Sequence, residues 1–333
     1  MVFKIVKVLV IGGAGYIGSH VVKELVKQEC DVYVFDNLST GLQTNIPTSV
    51  KFMFGDILDE PTLTNYMVNE SFDVVIHLAA LKAAGESMTS PEKYSQLNLT
   101  GSINILNAMV VSNCKNIVFS STAAVYGTPK YLPIDENHPK NPENFYGYTK
   151  SAVEDLFYWY GKLKGICYAK LRYFNAAGYD VEGDLKGLEQ SPSNLIPVVM
   201  EVALGYRSHL DIFGDDYATS DGTGVRDYVH VSDLADAHYK ALVYLTNEKK
   251  NLTVNLGTGK GVSVLEIVWV VGRLTQQEIQ FRIRPRRSGD PAEVYASSQL
   301  AEELIGWKAI YSDVDTIIKT TLVAYLTNEK ELN

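Results

Sequence analysis

Val6-Lys7-Val8-Leu9-Val10-Ile11-Gly12-Gly13-Ala14-Gly15-Tyr16-Ile17-Gly18 is the stretch that decides the fold. It opens as a short run of β-branched and apolar residues, passes through Gly12, Gly15 and Gly18 in GxxGxxG spacing, and continues as a helical pattern to Lys27. Strand, glycine turn and helix in that order bring a pyrophosphate against a helix N-terminus, where unpaired N–H groups and the helix dipole attract anions. A glycine triplet alone is a weak signal. Asp36, eighteen residues after Gly18 and at the end of the second apolar run, makes it specific. A carboxylate there accepts hydrogen bonds from an adenosine ribose and repels a 2′-phosphate, so the expected cofactor is NAD and not NADP.

Outward from this unit, short apolar runs at 6–11, 32–35, 52–55, 74–78, 116–120, 167–172 and 253–257 read as strands. Helical patterns near 17–27, 60–69, 101–111 and 148–164 lie between them. That alternation predicts an α/β fold, a doubly wound parallel sheet of Rossmann type with a smaller C-terminal substrate-binding lobe. From about Asn175 the rhythm loosens into sequence rich in Gly, Pro, Asp and Asn, the composition of a binding lobe built from loops. The expected division is 1–175 for the dinucleotide domain, with 230–260 returning to it, and 176–333 for a discontinuous lobe.

Composition narrows the partners. A net charge of −9 argues against nucleic acid or an anionic membrane. No apolar run reaches the ~18 residues of a membrane span, and residues 1–6 lead straight into the first strand with no signal-peptide layout. The expected location is the cytoplasm. Cys30, Cys114 and Cys167 form no ligand pattern, so no metal is expected. Arg282, Arg284, Arg286 and Arg287 form a dense basic cluster, a solvated edge or a diphosphate clamp. Phe157-Tyr158-Trp159-Tyr160 must present apolar surface on more than one side of its helix, which suggests a homodimer.

The reacting centre is read from Tyr146 and Lys150, a YxxxK pair that shares one helix face. A free phenol, with a pKa of ~10, is a poor base at neutral pH. An adjacent ammonium and a positive nicotinamide ring would both favour the phenolate. Thr122, at the end of Ser120-Ser121-Thr122, supplies a hydroxyl to bridge Tyr146 and a substrate oxygen. Strand ends also offer Asp56 to an adenine amino group and Lys82 to a phosphate or ribose, although taken singly each reads first as a loop residue. Gly257-Thr258-Gly259-Lys260-Gly261 lacks nucleotide-loop spacing and reads as a tight turn, with Ser263 and Glu266 capping the next helix. His230 and His238 read as structural. No GxSxG elbow, HExxH or P-loop points to another chemistry.

Together the glycine loop with Tyr16-Ile17-Gly18-Ser19-His20, the Tyr146/Lys150 pair, Leu171-Arg172-Tyr173-Phe174-Asn175 and the run from Gly222 to His230 resemble the UDP-glucose 4-epimerases, extended members of the short-chain dehydrogenase/reductase family. The resemblance spans nearly the whole chain. It implies that NAD+ stays bound, that Tyr146 takes the 4-hydroxyl proton while C4 gives up hydride, and that the 4-keto sugar swings about its diphosphate and is reduced on its other face. It assigns Asn175, Asn194, Leu195, Arg226, Arg287 and Asp290 to a UDP-hexose and puts Phe213 near the uracil. For the cofactor it implies Tyr16, Ile17, Asp36, Asn37, Asp56, Ile57, Lys82, Asn98, Tyr146, Lys150 and Phe174. Thr122 stands where many members have Ser, which preserves the hydroxyl. Val294 stands where some carry a bulky Tyr, so room for a 2-acetamido group, and hence UDP-GalNAc and UDP-GlcNAc as further substrates, is expected.

Sister enzymes dehydrate or decarboxylate nucleotide sugars. Dehydratases carry acidic residues in the two positions after Thr122, and here those are Ala123 and Ala124, leaving elimination without an acid or base. A UDP-pentose or UDP-uronate 4-epimerase is the nearest alternative. A non-catalytic NAD-sensing protein is the alternative from another class, and it predicts an impaired Tyr/Lys pair, whereas both residues are present.

Overall fold

Each of the seven apolar runs becomes a strand of one sheet. The computed structural model describes residues 5–185, 187–189, 192–287 and 289–332, the side chains of 329–332 excepted, so the first four residues of the 1–6 lead-in lie outside the description. In chain order the elements are β1 (Lys7–Ile11), α1 (Tyr16–Lys27), β2 (Asp31–Asp36), β3 (Lys51–Phe54), α2 (Glu60–Glu70), β4 (Val74–His77), α3 (Ala84–Ser87), α4 (Pro91–Tyr94), α5 (Gly101–Ser112), β5 (Asn116–Thr122), α6 (Phe145–Lys164), β6 (Cys167–Tyr173), β7 (Asn175–Ala177), α7 (Leu195–Ala203), β8 (Leu210–Phe213), β9 (Val225–Arg226), β10 (Tyr228–His230), α8 (Val231–Glu248), β11 (Leu252–Leu256), β12 (Val262–Ser263), α9 (Val264–Thr275), β13 (Phe281–Arg284), β14 (Glu293–Val294), α10 (Gln299–Ile305) and α11 (Val314–Leu332).

The main sheet has the order β11-β6-β5-β4-β1-β2-β3 and is parallel throughout. Successive residues of a strand face opposite sides. Val8 and Val10 pack with α1 and α8 residues such as Val22, Leu25 and Leu234. Leu9 and Ile11 pack with Leu63 of α2, Ile105 of α5 and Phe157 of α6. Helices thus cover both faces, which is why β1, β2 and β4 read as near-continuous apolar runs.

Between β1 and β4 the order reverses: β2 and β3 extend one way, β4, β5, β6 and β11 the other. Such a switch point opens a crevice at the carboxyl ends of the strands. The chain leaves the sheet after β6, builds part of the second lobe, and returns as α8 and β11 before leaving again. β11 pairs with β6 from Leu252↔Ala169 to Leu256↔Tyr173. A third cluster, with Val199 and Met200 of α7, Ile267 and Val271 of α9, and Ile317 of α11, is the core of the lobe.

Two details differ from the sequence reading. The helix read from position 101 is preceded by α4 and a six-residue π segment, Ser95–Thr100, which carries Asn98 into the interior. The helix read from position 148 begins at Phe145, because Asn144 caps it by accepting from Gly147 N at 2.8 Å. That start brings Tyr146 into the first helical turn. As expected, Ser263 caps α9, accepting from Glu266 N at 3.0 Å. Asp227 accepts from the N–H groups of Thr258, Gly259 and Ala296, which gives the Gly257–Gly261 turn a structural anchor. Among the described residues no helix is long and apolar enough to cross a membrane, and no group of His, Cys, Asp and Glu could hold a metal ion.

Candidate active site

Tyr146 and Lys150 lie one turn apart on α6, against the end of β5. Lys150 Nζ donates to the Ser120 carbonyl at 2.8 Å and sits 4.7 Å from the centre of the Phe119 ring. Tyr146 faces the Thr122 hydroxyl, which favours its phenolate, and its backbone N–H donates to Ser87 Oγ at 3.0 Å. Lys150 is buried and Tyr146 half-buried, and loss of water disfavours charge. It pushes the Tyr146 phenol up to about 12, against the opposing effect of the Thr122 hydroxyl, and pushes Lys150 down to about 7. In the protein by itself desolvation is the larger effect on the phenol, so the phenolate expected from the sequence calls for the positive nicotinamide ring as well as the ammonium.

At the glycine turn the three glycines have different reasons. Gly12 has φ +85°, and a Cβ there would come within 2.5 Å of Ala79 N. A Cβ on Gly18 would lie 2.1 Å from the Gly12 carbonyl oxygen. Gly15 has ordinary extended backbone, and a Cβ would meet nothing nearer than Gly12 O at 3.5 Å. The protein's own packing thus explains Gly12 and Gly18. Gly15 leaves open ground at the start of α1, as close approach of a pyrophosphate requires.

Asp36, at the tip of β2, accepts from Ala14 N at 2.9 Å and Leu38 N at 2.8 Å. Those bonds fix a carboxylate that retains further lone pairs for ribose hydroxyls. Asn37 Nδ2 donates to Asp56 Oδ2 at 2.9 Å, and Asp56 Oδ1 accepts from Leu58 N at 2.8 Å, so the two form one polar rim across β2 and β3. Ile57 is buried beneath that rim. This set of groups fits an adenine dinucleotide. Asn98 stands apart: its amide bonds both backbone groups of Leu81 and the Thr149 hydroxyl, and so clamps the segment after β4 to α6.

Between the sheet edge and the lobe lies a cavity of about 940 Å³. From the sheet side it is lined by Tyr16, Ile17, Lys82, Thr122, Tyr146, Lys150 and Phe174, and from the lobe side by Asn175, Asn194, Leu195, Phe213, Arg226, Arg287 and Asp290. Tyr16 donates its hydroxyl to Gly178 O at 2.5 Å, and Lys82 pairs with Glu189 beside the Tyr16 ring. Asn175 Nδ2 donates to Asp227 O at 3.1 Å. Asn194 stands at the N-terminus of α7 with no side-chain cap bond. Arg226 pairs with Asp290 and donates to Val225 O at 2.7 Å. Arg287 places its guanidinium 3.9 Å from the centre of the Phe213 ring.

Of the basic cluster only Arg287 lines the cavity. Arg282, Arg284 and Arg286 are exposed, the last two paired with Asp211 and Asp216. Val294 does not line it either. It sits on β14 opposite Arg226, and its side chain packs against the main core. His230 and His238 are buried in structural bonds, His238 between Leu234 O and the Tyr173 hydroxyl. Sequence reasoning missed the wall from Arg207 to Ile212, and Tyr173 and Tyr228. The two tyrosines lay inside quoted motifs. The wall carried no signal.

The model of the NAD dependent epimerase/dehydratase family matches residues 8–257. A UDP-glucose 4-epimerase from Halalkalibacterium halodurans is 46% identical over 313 residues, 94% of this chain and 93% of that protein. The crystal structure of UDP-glucose 4-epimerase from Brucella ovis in complex with NAD superposes with a TM-score of 0.93 at 45% identity, covering 95% of this chain and 97% of that one. The enzyme from Bifidobacterium longum in complex with NAD+ and UDP superposes with a TM-score of 0.91 at 38% identity, covering 97% and 99%.

Gly15→Ala should leave the melting temperature within a few degrees while lowering NAD content after dialysis at least tenfold. Gly18→Ala should destabilise the fold by about 1–3 kcal/mol, the scale of overpacking a rigid contact; equal effects of the two on stability would remove the distinction. Lys150→Met should raise stability at neutral pH. A lysine whose folded pKa is depressed carries a cost that is full below about 7 and fades as pH rises toward the unfolded value of 10.5. Calorimetry from pH 6 to 10 should show the gap between variant and wild type narrowing across that window.

Proposed function

The chain belongs to the NAD dependent epimerase/dehydratase family, and from that premise we propose that it interconverts UDP-galactose and UDP-glucose at C4 through a transient 4-keto sugar. The observation that carries the proposal is one cavity holding a Thr122–Tyr146–Lys150 cluster and, on its opposite wall, Arg226 and Arg287. Bound NAD+ would supply the hydride acceptor and donor, and a positive ring that favours the phenolate. Gly12, Gly15, Gly18, Tyr16, Ile17, Asp36, Asn37, Asp56, Ile57, Lys82 and Phe174 would hold it, with Asn98 supporting the wall.

Tyr146 acts as the base toward the 4-hydroxyl and later returns the proton, with Thr122 bonding both oxygens. Lys150 opposes protonation of the phenolate once charge develops there. Arg226 and Arg287 clamp the diphosphate, for which guanidinium geometry is suited. Phe213, Asn194, Leu195, Asn175 and Asp290 orient the nucleotide and sugar. The cavity is at the upper end of the ~300–1,000 Å³ usual for ligand sites, which suits a sugar that must present either face while its diphosphate stays fixed. Ala123 and Ala124 form the turn after Thr122, so no carboxylate there can drive elimination.

The chain also works as a homodimer. Tyr158, Trp159 and Leu163 of α6 and Val111 of α5 are more than half exposed on helices that pack together, an apolar face suited to a second copy.

Purified protein should convert UDP-galactose to UDP-glucose without added reductant, and Tyr146→Phe should cut kcat by about 10³-fold, within the range of general acid–base effects. NAD binding without turnover would favour a sensor and refute the proposal. In sedimentation equilibrium, wild type should run at twice the chain mass and Trp159→Glu at the chain mass; a wild-type monomer would exclude the pairing.

A further inference from the structure

Three side chains on one face of α6 meet three successive residues at the end of β5. Tyr146 faces the Thr122 hydroxyl, Lys150 donates to the Ser120 carbonyl, and Glu154 Oε1 accepts from Ser121 Oγ at 2.6 Å. Only the first two belong to the chemistry already described.

Glu154 is 1% exposed. Arg172 on β6, directly opposite Ser121 in the sheet register, donates to it through Nε at 2.9 Å and Nη2 at 2.7 Å. Arg172 Nη1 donates to the Tyr126 hydroxyl at 2.8 Å, and Tyr126 donates to Asn255 Oδ1 of β11 at 2.6 Å. One carboxylate thereby ties α6 to three adjacent strands. Burial alone would raise the Glu154 carboxyl, but Arg172, Lys170 and Ser121 bring it down to about 2, so it stays charged.

Stability is a poor reason for this arrangement, because a buried ion pair gains little net over apolar packing. On the same face of β5, Ile117 and Phe119 already pack with α6 side chains in an apolar cluster, and such contacts let a helix slide. A carboxylate with fixed partners sets one height. We propose that Glu154 is a positioning residue for the reaction: through Ser121 and Arg172 it sets the height of α6 on the sheet, and so the placement of the Tyr146 and Lys150 head groups against Thr122.

The proposal rests on Tyr146 being the acid–base group. Ser121→Ala removes one rung and leaves the ion pair intact, while Glu154→Asp keeps the charge and shortens the reach by one methylene. With UDP-galactose as substrate, each should lower kcat about 10- to 100-fold, the cost of ångström-scale misplacement, with KM within about threefold because the nucleotide clamp is on the other lobe. The double variant should be no slower than the worse single one, as two residues acting through one contact require. Calorimetry should show Ser121→Ala melting within a few degrees of wild type. If Ser121→Ala keeps kcat within twofold, or if the two losses multiply as independent effects do, the positioning role is overturned. A wild-type protein without epimerase activity would instead sink the reading of function on which it rests.

Discussion

Holding a phenol and an ammonium largely out of water on one helix face is the constraint on which the rest of the structure depends. Each group by itself resists ionisation in that wall, with Tyr146 held up near 12 and Lys150 down near 7. A flexible peptide would relieve the cost by moving one of them to water. Here the helix that carries both is fastened at its start by Asn144 and Ser87 and along its length by the sheet. The fold therefore keeps two groups away from the water that would favour their charged forms, and a positive ring placed beside them would tip the phenol toward ionisation.

Much of this was legible in the sequence because the relevant forces act locally or repeat. Strands enclosed on both sides are largely apolar, so Val8 to Ile11 and the runs like it stand out. Part of the glycine spacing is dictated by an atom a few residues away, Gly12 O against Gly18, while Gly12 itself is constrained by Ala79 N just past β4. Tyr146 and Lys150 announce themselves by helical spacing. The depressed Lys150 and raised Tyr146 were not legible, since spacing reports proximity and carries no information on how much water a side chain loses.

Elements of two or three residues, such as β9, β12 and β14, were also invisible, being too short for any periodicity. The wall from Arg207 to Ile212 reaches the cavity only because β13 pairs with β8 across some seventy residues of chain, from Phe281↔Leu210 onward. Val294 shows the same limit from the other side. A position can be aligned with a motif while its side chain turns toward the core, and only register decides which way it faces.

The late return of β11 to the sheet bears on how the chain comes off the ribosome. When the dinucleotide half has emerged, the outer edge of β6 still lacks its partner, and the apolar side of α1 has not met α8. Backbone groups on an open parallel edge can recruit a strand from a neighbouring nascent chain. Until residues 231–256 follow, the sheet lacks both its outer strand and the helix that covers α1, so its β6 edge stays open.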